Sequence, residues 1–210
     1  YTVGDGVISY GMFATIADAL AALPATGGTI CVLPGTFREA VRIVDRTNIT
    51  LHGCGPRSRI VAPEAEGAAS TAIAIAGSRD IRVEGLALEG GNQPVVRIER
   101  SEVVHVEGCL VQYRDIRGRR FSPWPAIYVD GEAIGIEGNI IEPLPDDLRR
   151  IFSKLAAPDR AIEADVARGG IQIGGGSETV RIAGNVILGG LGNGITLGSI
   201  LRIDIDNPDG

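Results

Sequence analysis

Ile49-Thr50-Leu51-His52-Gly53 returns along the chain as Ile81-Arg82-Val83-Glu84-Gly85, Val104-His105-Val106-Glu107-Gly108, Ile134-Gly135-Ile136-Glu137-Gly138 and Val180-Arg181-Ile182-Ala183-Gly184. A weaker copy is Ile203-Asp204-Ile205-Asp206-Asn207. Apolar and polar residues alternate in each, which is the period of a strand with one buried face, and the closing glycine marks a turn. We term this strand B. Between its copies lies a second recurring strand, strand A: Val41-Arg42-Ile43, Ile73-Ala74-Ile75, Val96-Arg97-Ile98, Ile127-Tyr128-Val129, Ile171-Gln172-Ile173 and Ile195-Thr196-Leu197. A third, strand C, follows the glycine almost at once, as in Ile140-Ile141 and Val186-Ile187-Leu188.

The residues closing strand B (Gly53, Gly85, Gly108, Gly138, Gly184, Asn207) fall 32, 23, 30, 46 and 23 positions apart. The bare repeat is therefore 23 residues, and the excess falls each time between strand C and the next strand A, at 62–70, 114–124 and 143–168. A fixed period with insertions at one point of the repeat describes a solenoid whose insertions project from one side. Each coil must stack on neighbours about 4.8 Å away to bury its apolar residues. The expected architecture is all-β: a right-handed, single-stranded parallel β-helix of three sheets and about six rungs. It is expected to form one domain over 1–210, with an N-terminal cap at 1–28 and coils over 29–210. The insertion at 143–168 is expected to be helical, since Leu148, Ile151, Phe152 and Leu155 share one helical face; because 46 is twice 23, an extra rung there is the alternative.

Residues 13–23 carry apolar side chains at helical spacing before Gly27-Gly28 and the strand Thr29–Leu33, so a capping helix is expected at the open end of the coil. The last residues stop partway through a rung, which reads as a fragment of a longer chain. After each strand B glycine stands Cys54, Leu86, Cys109, Asn139 or Asn185. Asn at such a corner is expected to take the left-handed conformation and to bond along the axis to its neighbour.

Composition agrees with short strands and tight turns: 30 Gly, 11 Pro, 4 % aromatic residues and abundant Ile and Val. A net charge of −6, with arginines spread along the chain apart from a run at Arg114, Arg117, Arg119 and Arg120, makes no nucleic-acid footprint. No apolar stretch is long enough for a transmembrane helix. Cys31, Cys54 and Cys109 are an odd set at irregular spacing, expected to be buried free thiols. Cys54 and Cys109, at equivalent corners two rungs apart, would lie roughly 10 Å from each other, too far for a disulfide.

Gly4-Asp5-Gly6, Phe13–Leu20, Gly27-Gly28-Thr29-Ile30-Cys31-Val32-Leu33-Pro34-Gly35-Thr36-Phe37-Arg38-Glu39 and Asn48–Gly55 together resemble the N-terminal portion of pectin-lyase-like β-helix proteins, pectin methylesterases among them. The remaining coils are similar to the degenerate repeats of that superfamily. The resemblance implies the fold, makes strand A the substrate-facing sheet, and implies an extracellular or cell-surface location, which the free cysteines do not favour. The esterases' paired-aspartate and arginine–tryptophan motifs are absent from the matching rungs, as is the lyases' calcium-binding aspartate set, so no catalytic residue is carried over.

The outward residues of strand A form two rows. One is Arg42, Ala74, Arg97, Tyr128, Gln172 and Thr196; the other is Val44, Ala76, Glu99, Asp130, Gly174 and Gly198. Glu99 and Asp130 fall on adjacent rungs, roughly 5 Å apart, the candidate catalytic pair, since such carboxylates separate into an acid and a base or nucleophile. An ordinary solvated face with Glu99 paired to Arg97 or Arg100 is the alternative. Arg97, Tyr128 and Gln172 flank the pair as candidate substrate-binding residues, and Arg114, Arg117 and Trp124 from an insertion would add a rim for an anionic glycan. No cofactor or metal site is expected, calcium at the two carboxylates being the exception the pattern allows. On strand B, the Glu84, Glu107, Glu137 row beside Arg82, His105 and Arg181 is expected to be charge-neutralised, and His105 has no nucleophile at recognisable spacing. Gly174-Gly175-Gly176 leads to a strand, so it is no phosphate loop.

Three functional readings follow. The first is a non-catalytic module of a larger multidomain protein, contacting polysaccharide, a surface glycan or a protein partner along strand A, beside neighbouring domains of the same chain. The second is a carbohydrate-active enzyme, a lyase, esterase or hydrolase on an acidic glycan. The third is a rigid spacer or spike. Neither nucleic acid nor membrane is an expected partner.

Overall fold

A computed structural model describes residues 1–63, 71–90, 93–114, 124–144, 169–189 and 193–199. The described chain is almost entirely strand, and every strand pairing is parallel. Strand A forms one ladder in which Val41, Ile73, Val96, Ile127, Ile171 and Ile195 stand opposite one another in succession. Strand B forms a second through Ile30, Leu51, Val83, Val106, Ile136 and Ile182. Strand C forms a third through Phe37, Ile60, Leu88, Val111, Ile141 and Ile187. Each strand thus pairs with its counterpart one turn later, which makes the molecule a parallel β-helix. The inward residues of the alternating pattern fill its axis: Val41, Ile73, Val96 and Ile127 of strand A, and Leu51, Val83, Val106 and Ile136 of strand B, are fully buried.

The corners are stacked as regularly as the strands. Between B and C the left-handed residue is the glycine itself, at Gly85, Gly108, Gly138 and Gly184, with φ between 59° and 65°. The following Asn is freed for a different task, which corrects the expected left-handed Asn. Asn139 Nδ2 donates to Val106 O at 2.9 Å and to Asn185 Oδ1 at 2.9 Å, Asn139 Oδ1 accepts from Cys109 N at 2.9 Å, and Asn185 Nδ2 donates to Ile136 O at 2.7 Å. In the earlier rung the corner is longer, and Gly55 rather than Gly53 takes the positive φ. Between A and B, Asn48, Asp80, Val103, Ala133 and Thr179 stack as left-handed residues, although only Asn and Asp suit that region.

The expected cap is present as a short helix, α1 (Ile16–Ala22), burying Ile16, Ala19 and Leu20. Thr15 Oγ1 accepts from Asp18 N at 3.1 Å, the Glu39 carboxylate accepts from Ile16 N at 2.8 Å and Ala17 N at 3.0 Å, and Arg46 Nη2 donates to Leu20 O and Leu23 O. Both ends of the helix are thereby satisfied from the coil beneath, the arrangement that terminal backbone groups require. Ahead of it, Thr2–Val3 pairs with Gly28–Val32, and Asp5 gathers the loop after it by accepting from the amides of Val7, Ile8, Ser9 and Thr36.

The edges of the three insertions stack. Ala62 N donates to Glu89 O, Arg114 N to Gly90 O and Leu144 N to Tyr113 O, where the chain leaves strand C. Ile73 N donates to Val95 O, Val96 N to Ala126 O and Ala126 N to Gly170 O, where it re-enters strand A. The inserted residues 64–70, 115–123 and 145–168, with the expected helix among them, lie outside the described residues, as do residues 200–210 with the sixth copy of strand B. All three cysteines are free, but only Cys109 is buried; Cys31 and Cys54 are partly exposed, contrary to expectation, because the corner at Cys54 is widened and Cys31 sits on an outward position.

Candidate functional site

Alternation on strand A directs Arg97, Tyr128, Gln172 and Thr196 outward in register, with Glu99 and Asp130 opposite each other in the neighbouring row. Arg97 Nη2 donates to Glu99 Oε1 at 2.6 Å, with both side chains 24 % exposed. A charge-assisted bond this short between half-buried groups is stronger than an ordinary surface pair. Asp130 makes no hydrogen bond or ion pair with any described residue.

Tyr128 leans from its own coil across the next. A Cβ added at Gly174 would stand 3.1 Å from the Tyr128 hydroxyl and 3.4 Å from Asp130 Cβ, so the absence of a side chain at Gly174 makes room for the phenol beside Asp130. Burial pushes the Tyr128 pKa up, the charges of Asp130 and then Glu99 add to the rise, and Arg97 partly offsets it. The phenol is held as a neutral hydrogen-bond donor, not a base. The signal in the sequence is that Gly174 occupies, in its own coil, the position that Glu99 and Asp130 occupy in theirs.

Beside Tyr128, Gln172 is fully buried, and its Oε1 and Nε2 have no hydrogen-bond partner. Thr196 Oγ1, one coil on, and Arg97 Nε share that condition. Five of the expected site residues, Arg97, Glu99, Tyr128, Asp130 and Gln172, therefore lie on one contiguous patch. Arg114 and Trp124 do not join it. Arg114 turns to the outer face of strand C, where its Nε donates to Glu89 Oε1 at 2.9 Å. There Arg59 Nη1 reaches Glu89 Oε2 at 2.9 Å and Gln112 Oε1 at 3.0 Å, and Gln112 Nε2 reaches Glu142 at 2.9 Å. Trp124 is 6 % exposed and offers no open ring for stacking. Arg117 lies outside the described residues.

Strand B behaves as its charges require. His52 Nδ1 lies 3.0 Å from Glu84 Oε1, Arg82 Nη1 donates to both oxygens of Glu107 at 3.1 and 3.0 Å, and Arg181 Nε lies 3.2 Å from Glu137 Oε1. His105 sits over Gly135, where an added Cβ would meet its Nδ1, and 3.3 Å from Glu107. The row is a neutralised ladder. Among the described residues no group of three or more His, Cys, Asp or Glu is placed to hold a metal ion, and no helix is long and apolar enough to cross a membrane.

No family model and no curated protein matches the sequence. Among solved structures, the chain is similar to a pectin methylesterase in complex with a hexasaccharide, at 13 % identity and a TM-score of 0.40, over 86 % of this chain and 80 % of that one. It is also similar to pectin methylesterase PemA from Erwinia chrysanthemi, at 12 % identity and a TM-score of 0.39, over 97 % of this chain and 91 % of that one. The parallel β-helix rests on the strand ladders themselves, and no residue role is taken from these neighbours.

Proposed function

We propose that this chain is a carbohydrate-contacting β-helix module of a larger protein, which holds polysaccharide along strand A without turning it over. The observation that carries the reading is the registered patch of half-buried polar groups at Arg97, Glu99, Tyr128 and Asp130, with the buried Gln172 beside them. An aromatic ring set among hydrogen-bonding side chains on rigid strands suits a sugar, whose faces are apolar and whose edges are polar. Affinity electrophoresis against a panel of soluble polysaccharides tests it, with wild type retarded by at least one polymer and Tyr128→Ala migrating freely. A panel that retards neither protein removes the reading and leaves the rigid spacer.

A second reading, a carbohydrate-active enzyme, is favoured by one observation: Asp130 is a carboxylate without a partner among the described residues, next to another carboxylate and a neutral phenol. Its test is product release from the same polymers. Turnover by wild type that Asp130→Asn abolishes establishes the enzyme, and binding without release establishes the module.

A further inference from the structure

Strand B carries a row of polar side chains on its own outer face, apart from the strand A patch. Cys31 is the ladder partner of His52, and His52 is the ladder partner of Glu84. All three point outward, because the residues before them, Ile30, Leu51 and Val83, fill the core. A thiol, an imidazole and a carboxylate thus rise from three successive coils about 4.8 Å apart. Cys31 is partly exposed and His52 half-exposed, so the row is open to solutes.

The imidazole is oriented. His52 Nδ1 lies 3.0 Å from Glu84 Oε1, so its N–H donates to the carboxylate and the lone pair is left on Nε2. A base pinned by an acid and set next to a nucleophile is the arrangement that activates cysteine. Thr50 and Cys54 flank His52 on its own strand, and Arg82, diagonal to it, is committed to both oxygens of Glu107. Neither of the other two thiols has an imidazole as ladder partner. Cys54 falls in the register break between His52 and Gly55, and Cys109 is buried, which pushes its thiol up to about 11.

The backbone around Cys31 narrows the chemistry. Acyl transfer needs donors aimed at a developing oxyanion, and Cys31 N and Leu33 N are already given to Tyr1 O and Val3 O. Exchange with a disulfide passes electrons from sulfur to sulfur and needs only a thiolate and open access.

We infer that Cys31, His52 and Glu84 form a reactive-thiol site that exchanges with small soluble disulfides. His52 Nε2 takes the thiol proton, and Cys31 Sγ attacks one sulfur of the disulfide. A bond forms between those two sulfurs as the original S–S bond breaks, and the departing half leaves as a thiolate that takes the proton back from His52. Cys31 is thereby oxidised to a mixed disulfide and the departing half is reduced. Glu84 acts through His52, as a positioning residue. This site stands whether or not strand A holds a glycan.

Treating the full chain with bis(2-hydroxyethyl) disulfide, which is uncharged and so indifferent to the nearby glutamates, tests this by intact mass and peptide mapping after acid quenching. At pH 7, Cys31 in a Cys54→Ser background is expected to react tenfold or more faster than Cys54 in a Cys31→Ser background. His52→Gln is expected to slow Cys31 tenfold or more at pH 7 but less than twofold at pH 10, where hydroxide ionises exposed thiols unaided. Glu84→Gln is expected to slow it severalfold at pH 7. Cys109 left unmodified shows the fold intact in each variant; should it react in His52→Gln, the comparison of Cys31 with Cys54 decides alone. Equal rates for Cys31 and Cys54, or an unchanged rate in a folded His52→Gln at pH 7, would overturn the inference. So would a loss of the same size at pH 7 and pH 10, which would mark His52 as structural.

Discussion

Asp130 stands directly opposite Glu99 in the strand A ladder, yet among the described residues only Glu99 has its charge met, by Arg97 at 2.6 Å. Two carboxylates on adjacent strands repel when neither is neutralised. Here one guanidinium answers one acid and leaves the other facing the Tyr128 ring, so a symmetric pair in the sequence is an asymmetric pair in space.

That asymmetry is measurable through Tyr128. Its pKa is raised first by burial and then by Asp130 and Glu99, so Asp130→Asn is expected to move the phenol back toward its ordinary value. Absorbance titration of tyrosinate in wild type, Asp130→Asn and Tyr128→Phe checks this, the last identifying the transition. A phenol whose folded pKa lies above its unfolded one supports the fold below the unfolded value and withdraws that support as pH climbs through the folded value. The alkaline loss of stability carried by Tyr128 is therefore expected to be smaller once Asp130 is neutralised.

At the N-terminus the sign is opposite. Four backbone amides, those of Val7, Ile8, Ser9 and Thr36, hold the Asp5 carboxyl at about 2, below its ordinary 3.8. Because the folded value is the lower one, Asp5 supports the fold above about pH 4, and that support fades as pH falls toward 2. Asp5→Ala is expected to flatten the acid limb of stability against pH in this window. Circular dichroism of denaturant unfolding at pH 5, 4, 3 and 2 reads the difference.

The Asn ladder predicts unequal costs for two similar substitutions. Asn139 is fully buried and bonds to Val106, Cys109 and Asn185, so Asn139→Ala strands several buried groups and is expected to cost about 3 kcal/mol. Asn185 is only partly buried, and water reaches the groups it leaves, so Asn185→Ala is expected to cost less. Urea unfolding midpoints of the two variants give the comparison directly.

Gly174→Ala tests the phenol's seat. Its backbone is not left-handed, so the new methyl acts by contact alone, at 3.1 Å from the Tyr128 hydroxyl and 3.2 Å from Val129 O. Overpacking of this kind is expected to cost about 1 kcal/mol and to displace Tyr128 from Asp130. A loss of glycan retardation larger than the loss of stability can explain would place Tyr128 at the binding face.

Much of this fold is legible in the sequence. Inward and outward sides of a strand follow from a period of two, which is local, and the repeat aligns one coil on the next, so Val41 through Ile195 and Leu51 through Ile182 stack from the chain alone. The features that are not legible there share a cause. Trp124 sits at the end of an insertion, where no period exists to assign it a side, and it is buried. Arg114 opens an insertion, which suggests the rim, whereas its guanidinium reaches back to Glu89 on the preceding coil. At the corners, which residue takes positive φ depends on the local path of the backbone, and the glycine takes it at less steric cost than the Asn beside it.

By itself, then, the sequence determined the coil, its register and which side chains share a row, because these follow from periodicity and from the need of each rung to bury its apolar face against the next. Tertiary structure alone decided which charges cancel, which acid is left over, and which amide is buried without a partner. Those outcomes depend on side chains reaching between coils about 4.8 Å apart, where rotamer and neighbour, not spacing along the chain, choose the partner.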